Sequence, residues 1–276
     1  MTDKYVVVGN PIAHSKSPSI HAEFARVSKQ DISYEHLLAP LDGFDDSISA
    51  FFGNGGQGAN VTVPFKENAY AFAKGHTQRA LCAGAVNTLF IHPETGEVWG
   101  DNTDGAGLVT DLTVNAGCSL EGKRVLVLGA GGAVRGVLQP ILAQNPSSVT
   151  VANRTVAKAE LLAELMAEFG NINACRFEDL KGEFDVIING TSASLANDVP
   201  PVPSECVGAS TWCYDMMYGA ELTAFSEWAL AQGAYKAIDG LGMLVEQAAE
   251  AFYVWRDVRP STASVHQQLR AELEKS

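Results

Sequence analysis

The stretch RVLVLGAGGAVRG, Arg124–Gly136, decides the fold class of this sequence. Its mostly apolar first five residues predict a buried strand, which passes directly into a glycine-rich turn and a helix. Glycines at Gly129, Gly131 and Gly132 let a backbone approach a pyrophosphate, and the N-terminus of the next helix supplies amide donors and a favourable dipole. The segment therefore indicates an α/β unit with a dinucleotide site.

The match to the general dinucleotide pattern is partial. In G-x-G-x-x-G the last position takes a small residue, and this sequence has Val134 there. A tight strand-to-helix turn in any α/β protein would look the same. The glycines alone therefore leave both interpretations open.

The end of the following strand favours one dinucleotide over the other. An NAD site usually has a carboxylate there for the ribose 2′-hydroxyl, whereas SSVTVANRT ends in Asn153, Arg154 and Thr155, with Lys158 one turn further on. These groups suit a 2′-phosphate. The alternative is a solvated basic helix start, but positive groups at a helix N-terminus oppose its dipole and favour a bound anion. The sequence therefore predicts NADP rather than NAD.

Short β-branched runs alternate with Ala-, Leu- and Glu-rich helical patterns along the chain. The predicted strands are YVVVGN (5–10), SYEHLLAP (33–40), GANVTVP (58–64), AVNTLFIH (85–92), KRVLVLGAGG (123–132), SVTVANR (148–154), DVIINGTS (185–192), TWCYDMMY (211–218) and YKAID (235–239). This alternation predicts α/β architecture with mostly parallel sheets.

The length of 276 residues favours two domains. In GEVWGDNTDGAGL (96–108) a predicted hairpin gives way to a helix start, which places the first boundary near residue 103. A doubly wound unit is expected from Lys123 to about Ala237. A long helix follows from Leu241 to about Asp257 and ends before Pro260.

Composition excludes several classes of function. The net charge of -13 opposes binding to nucleic acid or to an anionic membrane surface. The five cysteines are scattered and show no C-x-x-C spacing, so we expect free thiols and no metal site. The N-terminal segment lacks signal-peptide features and no apolar run has membrane-spanning length, which predicts a cytoplasmic protein.

Polar residues in the first part of the chain fall where strands should end. Ser15 and Ser17 precede Pro18, a pattern typical of a helix N-cap, and their hydroxyls could equally hold a carboxylate at that helix N-terminus. Asn60, Thr62 and Lys66 bracket Pro64, and Asn87 interrupts an apolar run. Ordinary cap and turn chemistry remains the alternative for each of them.

A proton donor is expected beside an NADP site, because reducing a ketone takes a hydride and a proton. Lys66 is a candidate donor, with Asp104 of the GDNTDG segment (100–105) as its partner. Spacing leaves open whether Lys66 transfers the proton or stabilises the alkoxide electrostatically.

The chain resembles the shikimate dehydrogenase family, the NADP-dependent enzymes of aromatic amino-acid biosynthesis. The likeness runs nearly end to end and rests on separated motifs: GNPIAHSKSPSIH (9–21), ANVTVPFKE (59–67), GAVNT (84–88), GDNTDG (100–105), GAGGA (129–133), NRT (153–155), YDMMYG (214–219) and GLGMLVEQAAEAF (240–252). A residue other than glycine after GAGGA is the family's own form of the dinucleotide loop. NGTSASL (189–195) departs from the family's NATS pattern, because Gly190 replaces an alanine.

The resemblance implies a role for each matching residue. Lys66 and Asp104 would be the catalytic pair, and both would contact the substrate. The other substrate-binding residues would be Ser15, Ser17 and Tyr218 at the carboxylate and Thr62, Asn87 and Gln247 at the ring hydroxyls. The cofactor would be bound by Gly129, Ala130, Gly131, Gly132, Ala133, Asn153, Arg154, Thr155, Lys158, Thr191, Ser192, Met216, Gly240 and Met243. Core packing is the alternative for Met243.

The resemblance also implies a discontinuous N-terminal α/β substrate domain, residues 1–103 and 240–276, and a Rossmann-like doubly wound NADP-binding domain, residues 104–239. The active site would lie in the cleft between them, with hinge closure around both ligands. The expected reaction is the reversible reduction of 3-dehydroshikimate to shikimate by NADPH. A monomer or weak homodimer is expected.

Two other functions are alternatives to this one. A dinucleotide-sensing module would have kept the fold and lost the chemistry, and it would not need Lys66, Asp104 and the serines together. A quinate enzyme using NAD is the second alternative. Arg154 opposes its cofactor preference, and nothing in the sequence excludes a side activity on quinate.

Overall fold

The computed structural model describes residues 2–275, without the side chain of Leu195. The chain divides into two compact units. The first unit comprises Met1–Gly107 and Val245–Val265, and the second comprises Leu108–Leu244 and His266–Ser276. Each unit is built on its own six-stranded sheet.

The first unit alternates strands and helices in chain order. Its elements are β1 (Asp3–Gly9), α1 (Ser17–Ser28), β2 (Ile32–Leu38), α2 (Phe44–Gly53), β3 (Gly56–Val61), α3 (Lys66–Phe72), β4 (Gly75–His76), α4 (Gln78–Ala83), β5 (Thr88–Ile91), β6 (Val98–Asp101) and the start of α5 (Asp104–Thr110). The strand order is β2-β1-β3-β5-β6-β4. β1 pairs in parallel with β2 and β3, whereas β5 is antiparallel to both β3 and β6.

Both faces of the first sheet are covered, as the apolar central strands require. Val6 and Val8 of β1 pack into one cluster with Phe44 and Ile48 of α2. On the opposite face, Tyr5 contacts Trp255, with the two ring centroids 4.7 Å apart. The sheet therefore holds the loops at its edges on a rigid support.

The second unit is a doubly wound parallel sheet. After α5, which continues into a π-helical turn at Asp111–Asn115, come β7 (Arg124–Leu128), α6 (Gly132–Leu142), β8 (Ser148–Ala152), α7 (Val156–Met166), β9 (Ile172–Cys175), β10 (Val186–Asn189), β11 (Trp212–Asp215), α8 (Ala224–Ala231), β12 (Lys236–Ile238), α9 (Leu241–Arg256) and α10 (Ala263–Leu273). The last two helices also contribute residues to the first unit.

The strand order of this sheet, β12-β11-β10-β7-β8-β9, reverses direction between β7 and β10. That reversal is the switch point at which open α/β sheets bind ligands, outside the carboxyl ends of the strands. β7 is buried on both faces, with Leu126 and Leu128 packed in a cluster that includes Phe177 and Phe225.

The structure confirms the α/β fold class and each predicted strand. Two short strands were not predicted, β4 and β9, and the first sheet is mixed because β5 runs antiparallel. The predicted serine N-cap of α1 is wrong: Lys16 holds the N-cap position and no side chain caps the helix. Instead, the Ser15 hydroxyl accepts a hydrogen bond from the Ser17 amide, at 3.3 Å.

The two compact units differ from the predicted domain boundaries at three places. The first unit continues to Gly107, whereas residues 240–244 and residues 266–276 group with the second unit rather than the first. Arg270 accounts for the last difference, since its guanidinium donates to both carboxylate oxygens of Asp239, at 2.6 and 2.8 Å, and to the Gly219 carbonyl.

Candidate functional site

One edge of the first sheet carries most of the polar residues singled out from the sequence. Asn60 of β3 stands opposite Thr88 of β5, and Thr88 stands opposite Asp101 of β6. Because β5 is antiparallel to both neighbours, the start of β5 meets the ends of β3 and β6 at this edge. The antiparallel strand therefore gathers three separated sequence motifs.

Lys66 and Asp104 form an ion pair at this edge. The Lys66 Nζ lies 2.5 Å from Asp104 Oδ2, and the two side chains are 32% and 16% exposed. Lys66 is the first residue of α3, and its carbonyl accepts a hydrogen bond from the Val86 amide. The ammonium is thus held in place on a side chain that is only partly buried, and a proton donor has to lie within hydrogen-bond reach of the group it protonates.

Asn87 links this ion pair to the long helix α9. Its Nδ2 donates to Asp104 Oδ1 at 2.7 Å and contacts Gln247 Oε1 at 3.4 Å. The two carboxylate oxygens of Asp104 therefore have different partners, Lys66 at one and Asn87 at the other. Asn87 is buried, so its amide has few alternatives to these bonds.

The loop before Asp104 is fixed residue by residue. The Asn102 amide donates to Asp101 Oδ1, the Thr103 amide to Asn87 Oδ1, and the Asp104 amide to Asn102 Oδ1. Asp101 is itself held by a two-bond contact with the Arg79 guanidinium, at 2.6 and 2.7 Å. Asp104 thus begins α5 from a rigid loop.

The two serines lie beside each other at the start of α1. Their hydroxyl oxygens are 3.2 Å apart, and both residues are half-buried. The backbone amide of Thr62, the residue after β3, donates a hydrogen bond to the Val8 carbonyl. The side chain of Thr62 packs against Gly9, where an added Cβ would lie 2.6 Å from the Thr62 methyl group. This is a place where glycine is required for close approach.

Beneath the serines lies a buried histidine. His21 has no exposed surface, and neither ring nitrogen has a hydrogen-bond partner among the residues that the structure describes. Its ring stacks on Tyr34 with centroids 4.3 Å apart. Burial lowers the pKa of His21 to about 3, so the ring is neutral at pH 7.

In the second unit, the glycine-rich turn leaves open space for a ligand. Gly129 has φ of +102°, a conformation that favours glycine, whereas added Cβ atoms at Gly131 and Gly132 would meet no atom within 4 Å. Both glycines are exposed where α6 begins. Ala130 and Ala133 flank them. The Gly129 amide bonds to the Ala152 carbonyl, and the rest of the predicted loop, Ala130–Ala133, forms the accessible N-terminus of α6.

Val134, the residue that departs from the general pattern, is fully buried. Its Cγ2 would lie 2.5 Å from a Cβ added at Gly190, the position where the family's NATS pattern has an alanine. The valine side chain at position 134 therefore occupies space that is open because residue 190 is glycine.

The basic residues after β8 stand free of protein partners. Arg154 and Lys158 are exposed, and their side chains make no hydrogen bond or ion pair with residues 2–275. Asn153 bonds with Nδ2 to the Thr155 carbonyl at 2.9 Å, and Thr155 is the N-cap of α7 with no side-chain capping bond. The positive groups thus lie at the N-terminus of α7, which itself carries a partial positive charge, and their side chains have no carboxylate partner among the described residues. This arrangement favours a bound anion.

The other predicted cofactor residues follow neighbouring strands of the same sheet. Thr191 comes after β10, and its hydroxyl donates to Asn189 Oδ1 at 2.8 Å; Ser192 next to it is exposed. Met216 follows β11, and its carbonyl would lie 2.3 Å from a Cβ at Gly240, which follows β12. Because all these strands are parallel, their carboxyl ends share one edge.

Two predicted residues have less distinctive surroundings. Met243 is half-buried in the first turn of α9. Tyr218 follows β11 in the second unit, 37% exposed, and burial together with the charge of Asp239 raises the pKa of its hydroxyl.

Comparison with known proteins identifies the family. The family model described as shikimate dehydrogenase substrate binding domain matches residues 7–89, shikimate / quinate 5-dehydrogenase matches residues 111–197, and the shikimate 5'-dehydrogenase C-terminal domain matches residues 240–270. A curated relative from Alkalilimnicola ehrlichii, named shikimate dehydrogenase (NADP(+)), is 56% identical over 99% of this chain and 100% of its own length.

The chain belongs to the shikimate dehydrogenase family.

Solved structures agree with this assignment. The Ael1 enzyme of Pseudomonas putida is 44% identical, with a TM-score of 0.93 over 97% of this chain and 98% of its own. Shikimate 5-dehydrogenase of Thermus thermophilus, solved in complex with NADP(H) and shikimate, is 32% identical, with a TM-score of 0.85 over 98% and 99% of the two chains. Family membership confirms the predicted NADP-dependent oxidoreductase with a Rossmann-type fold.

Some structural features had no counterpart in the sequence predictions. Tyr34 and Thr88 bond to the polar edge of the first sheet. Thr88 lies inside the GAVNT motif next to Asn87, so its position was a usable signal. Tyr34 gave none, because a tyrosine in a strand normally indicates only packing. No helix within residues 2–275 has the length and apolar character needed to cross a membrane.

Proposed function

We propose that this chain catalyses the reversible NADPH-dependent reduction of 3-dehydroshikimate to shikimate, a step of the pathway to chorismate and the aromatic amino acids. The contact between Lys66 and Asp104 carries the proposal, since it places an ammonium beside a carboxylate at a polar sheet edge. Relatives named shikimate dehydrogenase (NADP(+)) support the substrate and cofactor.

NADPH, when bound, supplies the hydride. We assign its pyrophosphate to the open turn Gly129–Ala133 and its 2′-phosphate to Asn153, Arg154, Thr155 and Lys158. The open space at Gly131 and Gly132 and the unpaired Arg154 support both assignments. Thr191, Ser192, Met216, Gly240 and Met243 complete the proposed cofactor site.

Lys66 acts on the oxygen of the ketone that is reduced. As that oxygen gains negative charge, the Nζ of Lys66 either donates a proton to it or stabilises it electrostatically. Asp104 holds the ammonium with Oδ2 and leaves Oδ1 to Asn87. Two fixed oxygens with two different partners keep the proton donor in one orientation.

The remaining substrate contacts are assigned by chemistry. The Ser15 and Ser17 hydroxyl oxygens lie 3.2 Å apart, so both hydroxyls could donate to one substrate carboxylate. Thr62, Asn87 and Gln247 would bind ring hydroxyls. With five free thiols, a reducing compartment such as the cytoplasm suits the protein.

The test is the initial rate of nicotinamide reduction, followed by absorbance, with shikimate or quinate against NADP or NAD in four parallel reactions. Fast turnover with shikimate and NADP alone supports the proposal. Turnover with quinate and NAD instead would favour the quinate enzyme. Four flat traces from protein that still binds NADP would favour a dinucleotide sensor.

A further inference from the structure

A chain of hydrogen bonds inside the first unit ends on the Asp104 carboxylate. Tyr34 Oη donates to Asn60 Oδ1 at 2.7 Å, and Asn60 Nδ2 donates to Thr88 Oγ1 at 3.2 Å. The Thr88 hydroxyl donates to Asn87 Oδ1 at 2.8 Å, and Asn87 Nδ2 donates to Asp104 Oδ1 at 2.7 Å. Every donor in this chain points toward the carboxylate.

The direction of the chain is fixed by groups that cannot reverse their role. Asn60 Nδ2 also donates to the backbone carbonyl of Asn87, which can only accept a hydrogen bond. Asn60 Oδ1 must therefore face Tyr34. Asn87 Oδ1 faces the Thr103 amide, which can only donate. The Thr88 hydroxyl lies between an amide donor and an amide oxygen, and it therefore donates to Asn87.

Burial makes these orientations matter. Thr88 is fully buried, Asn87 is 3% exposed and Asn60 is 7% exposed, so water is a poor substitute for a missing partner. Bonds aligned in one direction also strengthen each other in a low-dielectric interior. Without the Thr88 hydroxyl, Asn87 Oδ1 would lose one of its donors.

We propose that Thr88 and Asn60 are positioning residues for the reaction, because together with the Thr103 amide they hold the Asn87 amide so that Nδ2, and not Oδ1, faces Asp104. An Asn87 amide turned the other way would place its oxygen against the carboxylate and repel it. Asp104 would then shift, and the Nζ of Lys66 would move with it. The inference rests on the proposed function, since it concerns the geometry of that catalytic pair.

The decisive comparison is Thr88→Val with Thr88→Ser. Valine keeps the shape of threonine and removes the hydroxyl, whereas serine keeps the hydroxyl. We expect kcat for shikimate oxidation by NADP to fall about 10- to 100-fold in Thr88→Val, the cost of a small misplacement of a reacting group. Thr88→Ser should retain near wild-type kcat.

An isotope effect separates positioning from a merely structural role. With shikimate deuterated at the carbon that loses hydride, the isotope effect on kcat should rise in Thr88→Val, because the chemical step has become slower. A variant that is only partly folded would lower kcat and leave the isotope effect unchanged. That result would overturn the inference, as would equal kcat values for Thr88→Val and Thr88→Ser.

Two further measurements keep the test conclusive. The dissociation constant of NADP should be the same in wild type and both variants, since the cofactor residues lie on other elements. Thr88→Ala, which also lacks the hydroxyl, replaces Thr88→Val if the latter does not fold. Wild-type protein is assayed first. If it does not oxidise shikimate with NADP, the proposed function itself is refuted. If wild type is active and Thr88→Val has the same kcat, only the positioning role is refuted.

Discussion

The Nζ of Lys66 lies 2.5 Å from Oδ2 of Asp104, although the two residues are 38 positions apart in the sequence. The contact depends on β5, whose antiparallel pairing with β3 and β6 brings the two loops to one edge of the sheet. Proton transfer to the oxygen of a ketone that is being reduced needs a donor held within hydrogen-bond reach of that oxygen. The predictions below test the pair, the cofactor loop and the buried residues that support them.

Arg154→Ala should change cofactor preference. The exposed guanidinium has no partner among residues 2–275, so its removal should leave the fold intact and weaken the binding of a 2′-phosphate. We expect KM for NADP to rise about 10- to 100-fold, in line with the loss of a charge-assisted bond, and KM for NAD to stay unchanged. Arg26→Ala removes an exposed positive charge in the first unit and serves as the control. An equal rise for both cofactors would contradict the assignment of Arg154.

Gly131→Ala should separate cofactor binding from stability. An added Cβ at Gly131 meets no protein atom within 4 Å, and its φ of -89° suits alanine. The free energy of unfolding should therefore stay within about 0.5 kcal/mol of wild type. The dissociation constant of NADP should rise at least about 10-fold, because the methyl group occupies the space through which the pyrophosphate approaches. Titration calorimetry measures the second quantity, and unchanged binding would remove this turn from the cofactor site.

Val134 and Gly190 should behave as a coupled pair. A methyl group at Gly190 would lie 2.5 Å from Val134 Cγ2, so Gly190→Ala should destabilise the protein by about 1 to 3 kcal/mol. Val134→Ala leaves a cavity in a fully buried site and should cost a similar amount, about 1 to 3 kcal/mol. In the double variant the new methyl group fills that cavity.

Urea unfolding of the four proteins measures this coupling. We expect the double variant to be more stable than the sum of the single changes predicts, by about 1 kcal/mol or more. Strict additivity would show that Val134 and Gly190 contribute to stability independently.

His21 should make stability depend on pH. Burial lowers its pKa to about 3 in the folded protein, against about 6.5 in the unfolded chain. As the pH falls, the unfolded state therefore binds the proton before the folded state does. Protonation of His21 in the unfolded state lowers the free energy of unfolding as the pH falls from about 6.5 toward 3, by about 2 kcal/mol at pH 5.

Urea unfolding at pH 7 and pH 5 tests this. The difference in the free energy of unfolding between the two pH values should be smaller by about 2 kcal/mol in His21→Leu than in wild type. His14→Asn, a change at an exposed histidine, is the control and should leave this difference unchanged. An identical pH dependence in His21→Leu and wild type would show that the ring is not held neutral.

The sequence predicted the fold well where β-branched runs were long and apolar, as in β1 and β7. It missed β9, because Ile172–Cys175 has only one β-branched residue and lies at a sheet edge, where little burial is needed. It also missed β4, which has two residues. The helix start at Ser17 was close, but the wrong residue was given the N-cap, since Pro18 is compatible with either register.

The candidate site was predictable only as a set of residue types. Motifs indicated Lys66, Asn87 and Asp104 separately, and the resemblance supplied their roles. Which oxygen of Asp104 bonds to which partner follows from long-range contacts, such as the one between Asn87 and Gln247, 160 positions apart. No local pattern encodes these contacts, and the same is true of Tyr34 and Thr88.

The turnover of Lys66→Ala tests the central claim most directly. Wild type and variant are compared with saturating shikimate and NADP, and NADP binding to each is measured in parallel. The proposed role predicts a folded variant that binds NADP normally and has kcat lowered by about 10²- to 10⁴-fold, as for loss of a general acid. A correctly folded Lys66→Ala variant with near-normal kcat would contradict that role and remove Lys66 from the chemistry.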